Sequence, residues 1–107
     1  MTEQDRKIRE IQMLEQNFQN LLMQKQAFQM ELSENKAALE EIEHSGDEVY
    51  KIIGQLMIKS DKTKIKKELE SKEKILGLRM KNIEEQEKAY TEKLQKLQKE
   101  ALKEMKR

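Results

Sequence analysis

Two runs of apolar residues, spaced alternately by three and four, flank a short β-branched block and leave this chain few ways to fold. From about Glu3 to Glu43 the a and d positions of a heptad read Ile11, Leu14, Phe18, Leu21, Lys25, Phe28, Leu32, Asn35, Leu39 and Ile42. Eight of these ten are apolar and the pattern holds for more than four heptads, the signature of a coiled-coil helix. The stripe is narrow, so the helix is expected to pack along a seam rather than into a broad core. His44-Ser45-Gly46-Asp47 is expected to end it, with Gly46 in a left-handed conformation just past the last turn.

A second stripe starts near Lys62 and reads Ile65, Leu69, Lys72, Leu76, Met80, Ile83, Glu87, Tyr90, Leu94, Leu97 and Ala101. Its phase slips between Leu76 and Met80, a stutter that locally unwinds a supercoil, and Gly77 beside it marks a weak point. Folded back about a centre near Gly54, the two stripes match along their whole length. Ile42 falls by Ile65, Leu39 by Leu69, Leu32 by Leu76, Phe18 by Tyr90, Leu14 by Leu94 and Ile11 by Leu97. Such agreement predicts an intramolecular antiparallel pair with arms about 60 Å long, at about 1.5 Å per residue. Asn35 and Lys72 would meet in the seam as a polar layer that fixes register.

Charge favours the same pairing. Residues 1–44 carry five Lys/Arg and nine Asp/Glu, whereas residues 63–107 carry fourteen and nine. An acidic helix beside a basic one is complementary, with Glu41/Lys66 and Glu40/Lys67 at matching heights. The same complementarity accounts for lysines in the first turn of helix two, which the helix dipole disfavours.

Between the arms, Val49-Tyr50-Lys51-Ile52-Ile53-Gly54-Gln55-Leu56-Met57-Ile58-Lys59 reads as a β-hairpin with a two-residue turn whose first central residue is Gly54. Ile53 would face Leu56, Ile52 face Met57 and Tyr50 face Lys59, which puts apolar side chains on both faces. A lone two-stranded hairpin is marginal in water and carries two open edges. This one is therefore expected to cover its edges and a face with other copies or other subunits.

Composition excludes several classes. With 40% charged, 36% hydrophobic and 4% aromatic residues, a compact core is hard to build. A net charge of only +1 and the absence of proline point to long helices rather than disorder. Without cysteine there is no disulfide framework, zinc knuckle or thiol nucleophile. The start Met1-Thr2-Glu3-Gln4-Asp5 has no secretory pattern and the apolar runs are short, so a soluble cytoplasmic chain without membrane partners is expected. No constellation supports catalysis and no cofactor is expected. The single histidine, His44, reads as a helix C-terminal residue, and the carboxylates are scattered along solvated faces. The lysines of helix two are interleaved with glutamates and lack an aromatic platform, which disfavours nucleic acid.

Near the arm ends, Ile8, Met13, Leu22, Met23, Leu102 and Met105 lie off the seam. They are either ordinary surface apolar residues or an adaptable, methionine-containing surface for varied partners, several copies of which would bind by avidity.

The central block, of form V-Y-K-x-x-G-x-L-x-x-K, resembles the hairpin of the beta-type prefoldin subunit. Gln24-Lys25-Gln26, Glu31-Leu32 and Ala38-Leu39-Glu40-Glu41-Ile42 continue the likeness in helix one, and Glu68-Leu69, Leu76 and Gln86-Glu87 in helix two. The resemblance implies a single prefoldin-like domain over 1–107, mostly α. Its long antiparallel two-helix coiled coil (helices 3–44 and 62–106) would be joined by a central β-hairpin, 48–60, that assembles into an oligomeric β-barrel platform. It further implies a hexamer of two alpha subunits and four beta copies. This assembly would be an ATP-independent holdase that binds unfolded client proteins at its distal tips and transfers them to a group II chaperonin. The platform would use Val49, Tyr50, Ile52, Ile53, Gly54, Leu56, Met57 and Ile58. The tips would use Ile8, Ile11, Met13, Leu14, Leu94, Leu97, Leu102 and Met105, with Lys99, Lys103, Lys106 and Arg107 serving chaperonin docking. The alternative from the residues alone is a structural coiled-coil scaffold or a non-specific nucleic-acid-binding arm built on the basic second helix.

Overall fold

The computed structural model describes residues 2–105. Its elements run α1 (Glu3–His44), β1 (Glu48–Ile53), β2 (Leu56–Asp61) and α2 (Lys62–Met105), so the expected order and type hold throughout. Helix α2 is described to Met105, and the expected last residue, Lys106, lies outside the described residues. The ends of the helices are set by side chains. Thr2 and Asp5 form a reciprocal cap at the start of α1: the Asp5 amide donates to Thr2 Oγ1 and the Thr2 amide to Asp5 Oδ2, each at 3.1 Å. Asp61 caps α2 by accepting from the Thr63 amide at 3.0 Å.

Helix α1 closes differently from expectation. Gly46 is not left-handed; the one glycine with positive φ among the described residues is Gly54. Ser45 ends the helix instead, its amide and its hydroxyl both donating to the Ile42 carbonyl at 3.3 and 2.9 Å. Lys62 Nζ then donates to the Ser45 carbonyl at 2.8 Å. With that last-turn carbonyl satisfied by Ser45, no left-handed residue is needed to reach it.

Two compact units make up the chain. One is residues 28–79, which hold the hairpin; the other joins the residues up to Ala27 with those from Met80 on. In the hairpin unit, segments of α1 and α2 lie antiparallel and bury Ile42, Val49 and Leu76, of which Leu76 is the most enclosed at 2% exposure. The seam contains a polar layer, but not the one the heptads predict. Lys72 is exposed and Glu73 is half-buried, so the inward positions step Leu69, Glu73, Leu76. The phase slip therefore sits one turn earlier than Leu76–Met80. Asn35 is 4% exposed and donates through Nδ2 to the Leu69 carbonyl at 2.9 Å. An amide can use a main-chain acceptor inside a seam, whereas a buried lysine amine is costly to desolvate; the slip turns Lys72 out to water. Gly77 is exposed, with open space where a Cβ would stand.

In the other unit the seam buries Leu14 and Leu21 from α1 and Met80 and Ile83 from α2. Phe18, Tyr90, Leu94 and Leu97 are half-buried along it. Two ion pairs cross it: Lys25 to Glu87 at 2.8 Å and Lys7 to Glu104 at 2.6 Å. Lys25 and Glu87 are the charged stripe positions in this unit. Their pairing explains how a three-four apolar pattern tolerates a charge on each side.

Candidate interaction surfaces: the hairpin and the arm ends

The hairpin has the register expected from the sequence: Tyr50 opposite Lys59, Ile52 opposite Met57 and Ile53 opposite Leu56. Gly54 has φ of 61° and Gln55 does not have positive φ, the combination of a two-residue turn with glycine at its first central position. Alternation then assigns the faces. Val49, Lys51 and Ile53 share one face with Ser60, Ile58 and Leu56; Tyr50 and Ile52 share the other with Lys59 and Met57.

Only the base of the first face is covered by the chain's own helices. Val49 is buried, and Lys51 Nζ reaches Glu68 on α2 at 3.1 Å. Val49 thus packs inside its own chain, unlike the other side chains expected to serve assembly. Toward the turn, Tyr50, Ile52, Ile53, Leu56, Met57 and Ile58 are all exposed, Ile52 at 70%. Six large apolar or aromatic side chains in a two-stranded sheet with both edges open form a surface that water does not stabilise. Beside it lies a groove of about 540 Å³ floored by Ile42, Val49, Ile65 and Leu69 and rimmed by Glu41 and Glu48.

Charge also fixes the junction between hairpin and helices. Lys66 pairs with Glu43, rather than with Glu41 as heptad height suggests. The Lys66 ammonium holds the Glu43 carboxyl below its ordinary range, and Glu43 in turn raises Lys66. Lys51 contributes a contact that sequence reasoning did not assign. Its signal was there, since in Val49-Tyr50-Lys51 the third residue shares the helix-facing side of β1 with the first.

The arm-end residues divide by exposure. Ile8, Met13, Leu102 and Met105 are exposed. Ile11, Leu94 and Leu97 are half-buried in the seam, and Leu14 is buried in it. The Lys7–Glu104 pair joins the two helices next to Ile8 and Met105. Glu104, donated a hydrogen bond by Lys7, raises the pKa of that lysine, and Glu87 does the same for Lys25. Lys99 and Lys103 are exposed, while Lys106 and Arg107 lie outside the described residues. The heptads did not single out Met30, Ile75 and Leu78, which are exposed on the outer sides of the helices in the hairpin unit.

Comparison with known proteins agrees with this geometry. The family model for prefoldin subunits matches residues 5–107. The chain is 45% identical over 85 residues to the prefoldin subunit beta of Thermococcus onnurineus, covering 78% of this chain and 73% of that one. It is 41% identical over 90 residues to that of Thermococcus kodakarensis, covering 82% and 77%. The crystal structure of the prefoldin beta subunit from Thermococcus strain KS-1 superposes with a TM-score of 0.86 at 36% identity, covering 94% of this chain and 90% of that one.

Proposed function

Because the chain belongs to the prefoldin family, as a chaperone subunit of the beta type, we propose that it is a holdase subunit working without ATP. Its hairpin joins a platform with an alpha-type subunit and further beta copies, in a hexamer of two alpha and four beta chains in the cytoplasm. Its arm ends hold unfolded proteins and pass them to a group II chaperonin. The chain itself catalyses no reaction.

The observation that carries this reading is the split among apolar side chains. Along the seams they are covered; at the hairpin and at the arm ends they stand in water. The hairpin side chains sit on regular backbone with open edges, which suits fixed strand partners. The arm-end residues Ile8, Met13, Leu102 and Met105 sit on helix surface, which offers no strand edge. Such a surface binds through side chains alone, and two of the four are methionines, which adapt to many shapes. One such surface is weak. Several on one assembly bind by avidity, so a client is held when many arms engage it and leaves when few do. Lys99 and Lys103, exposed beside the apolar ends, supply charge for docking on the chaperonin, together with Lys106 and Arg107.

Deleting residues 1–10 and 98–107 tests the tip mechanism. The truncated chain is expected to assemble normally and to lose its suppression of client aggregation. Protection equal to that of the full chain overturns the tip assignment.

A further inference from the structure

Methionine is ordinarily among the residues most often hidden inside a protein. Here the pattern is reversed. Among the described residues only Met80 is buried, in the seam; Met13, Met23, Met30, Met57 and Met105 are all exposed, none below 66%. The chain has neither cysteine nor tryptophan, so these thioethers are its main oxidisable groups.

Their settings differ. Met57 stands opposite Ile52 on the hairpin, on the surface that the proposed assembly covers. Met23 and Met30 lie on α1, off the seam and apart from the arm-end cluster. Met13 and Met105 are two of the four exposed apolar residues proposed to hold clients, and they stand in water while the arms are empty.

Building on the holdase reading, we infer that Met13 and Met105 are reversible oxidation sites, through which a peroxide closes the empty arm ends to new clients. A sulfur lone pair attacks one peroxide oxygen, the O–O bond breaks, and the other oxygen leaves, protonated, as water. Sulfur loses two electrons and the peroxide gains them. The sulfoxide is a polar acceptor, and an apolar client patch has no donor to offer it, so covering it with client costs free energy. A sulfoxide reductase reverses the change: its thiol pair becomes a disulfide and the oxygen leaves as water. Clients bind through several arms at once, so a modest loss at each end multiplies. A client already held shields both sulfurs. Oxidation therefore blocks uptake and spares what is loaded.

In the test, the complex with an alpha-type partner is treated with hydrogen peroxide, which is then removed. Suppression of aggregation is measured with guanidine-unfolded citrate synthase. A complex carrying Met13→Leu and Met105→Leu is treated alongside; leucine keeps the apolar volume and has no sulfur to oxidise. Peptide masses should show added oxygen at Met13 and Met105, with Met57 and Met80 spared. The oxidised wild-type complex should stay assembled and need about tenfold more protein for half protection, because the losses multiply over the arms. Sulfoxide reductase with dithiothreitol should restore it. The leucine complex should protect equally before and after treatment, although its Met23 and Met30 remain open to oxidation. Unchanged protection by the oxidised wild-type complex, or an equal loss in the leucine complex, overturns the proposal. Disassembly with Met57 modified places the effect at the hairpin and overturns it too. Failure of the untreated wild-type complex to protect is a different result: it overturns the holdase reading, and the oxidation sites with it.

Discussion

The hairpin unit and the unit of the arm ends are built from the same two helices, yet they solve opposite problems. Near the hairpin, the seam holds the most enclosed side chain, Leu76, and its polar layer is a neutral amide on a main-chain carbonyl. The exposed apolar residues there sit largely on β-strands with unpaired edges. In the other unit the seam buries Leu14, Leu21, Met80 and Ile83, and its polar contacts are the ion pairs Lys25–Glu87 and Lys7–Glu104. The exposed apolar residues there lie on helix, which presents no strand edge. Under the proposed function, the difference lets one chain carry two kinds of binding. Strand edges impose geometry and suit a permanent neighbour; helical side chains impose little and suit changing clients.

Core truncation should expose this contrast most strongly. Leu76→Ala is expected to cost about 4–5 kcal/mol and Leu14→Ala about 2–3 kcal/mol, the upper and lower parts of the range for buried leucines. Denaturant unfolding of the two variants checks the order, and equal losses would remove the distinction between the units.

Glycine substitutions should give opposite signs within the hairpin unit. Gly54 is left-handed, with φ of 61°, so Gly54→Ala should destabilise by about 1–2 kcal/mol. Gly77 is helical with open space around it, so Gly77→Ala should stabilise by up to about 1 kcal/mol. Thermal melts of both variants decide this; a loss at Gly77 would mean that the helix needs a weak point there.

The smallest expected effect is that of pH. Glu43 has a lowered pKa, so its contribution is present above the ordinary carboxylate value of 4.5 and lost as pH falls through its lower folded value. Lys66, Lys25 and Lys7 are raised, so theirs is fully present below 10.5 and lost as pH rises through their higher folded values. The melting temperature should be flat between these limits. Glu43→Gln should remove part of the acid-side fall, which arises in the hairpin unit. An unchanged acid limb would show that this pair contributes nothing.

Where a sequence period is unbroken, the structure follows it. The hairpin register was legible because strand alternation and the Gly54-Gln55 turn both specify it, and a one-residue slip would turn every side chain over. The seam failed to read through only where its phase shifts. Lys72 and Glu73 are adjacent charged residues, and composition alone does not say which turns inward. Lys66 chose Glu43 over Glu41 because long side chains reach along the helix beyond their own height. The end of α1 was misread at Gly46 because Ser45 does the capping through a hydroxyl that the glycine rule ignores. At the arm ends, the heptad put Ile11, Leu14, Leu94 and Leu97 both in the seam and near the tip. Exposure separates them from Ile8, Met13, Leu102 and Met105.

The most direct test of the account is the mass of the intact complex formed with an alpha-type partner, for the full chain and for a variant carrying Ile52→Lys and Leu56→Lys. Native mass spectrometry should find four copies of the full chain with two of the partner, and a free chain with unchanged helical content for the variant. A full chain that stays monomeric, or a variant that assembles equally well, would contradict the assignment of the exposed hairpin to assembly.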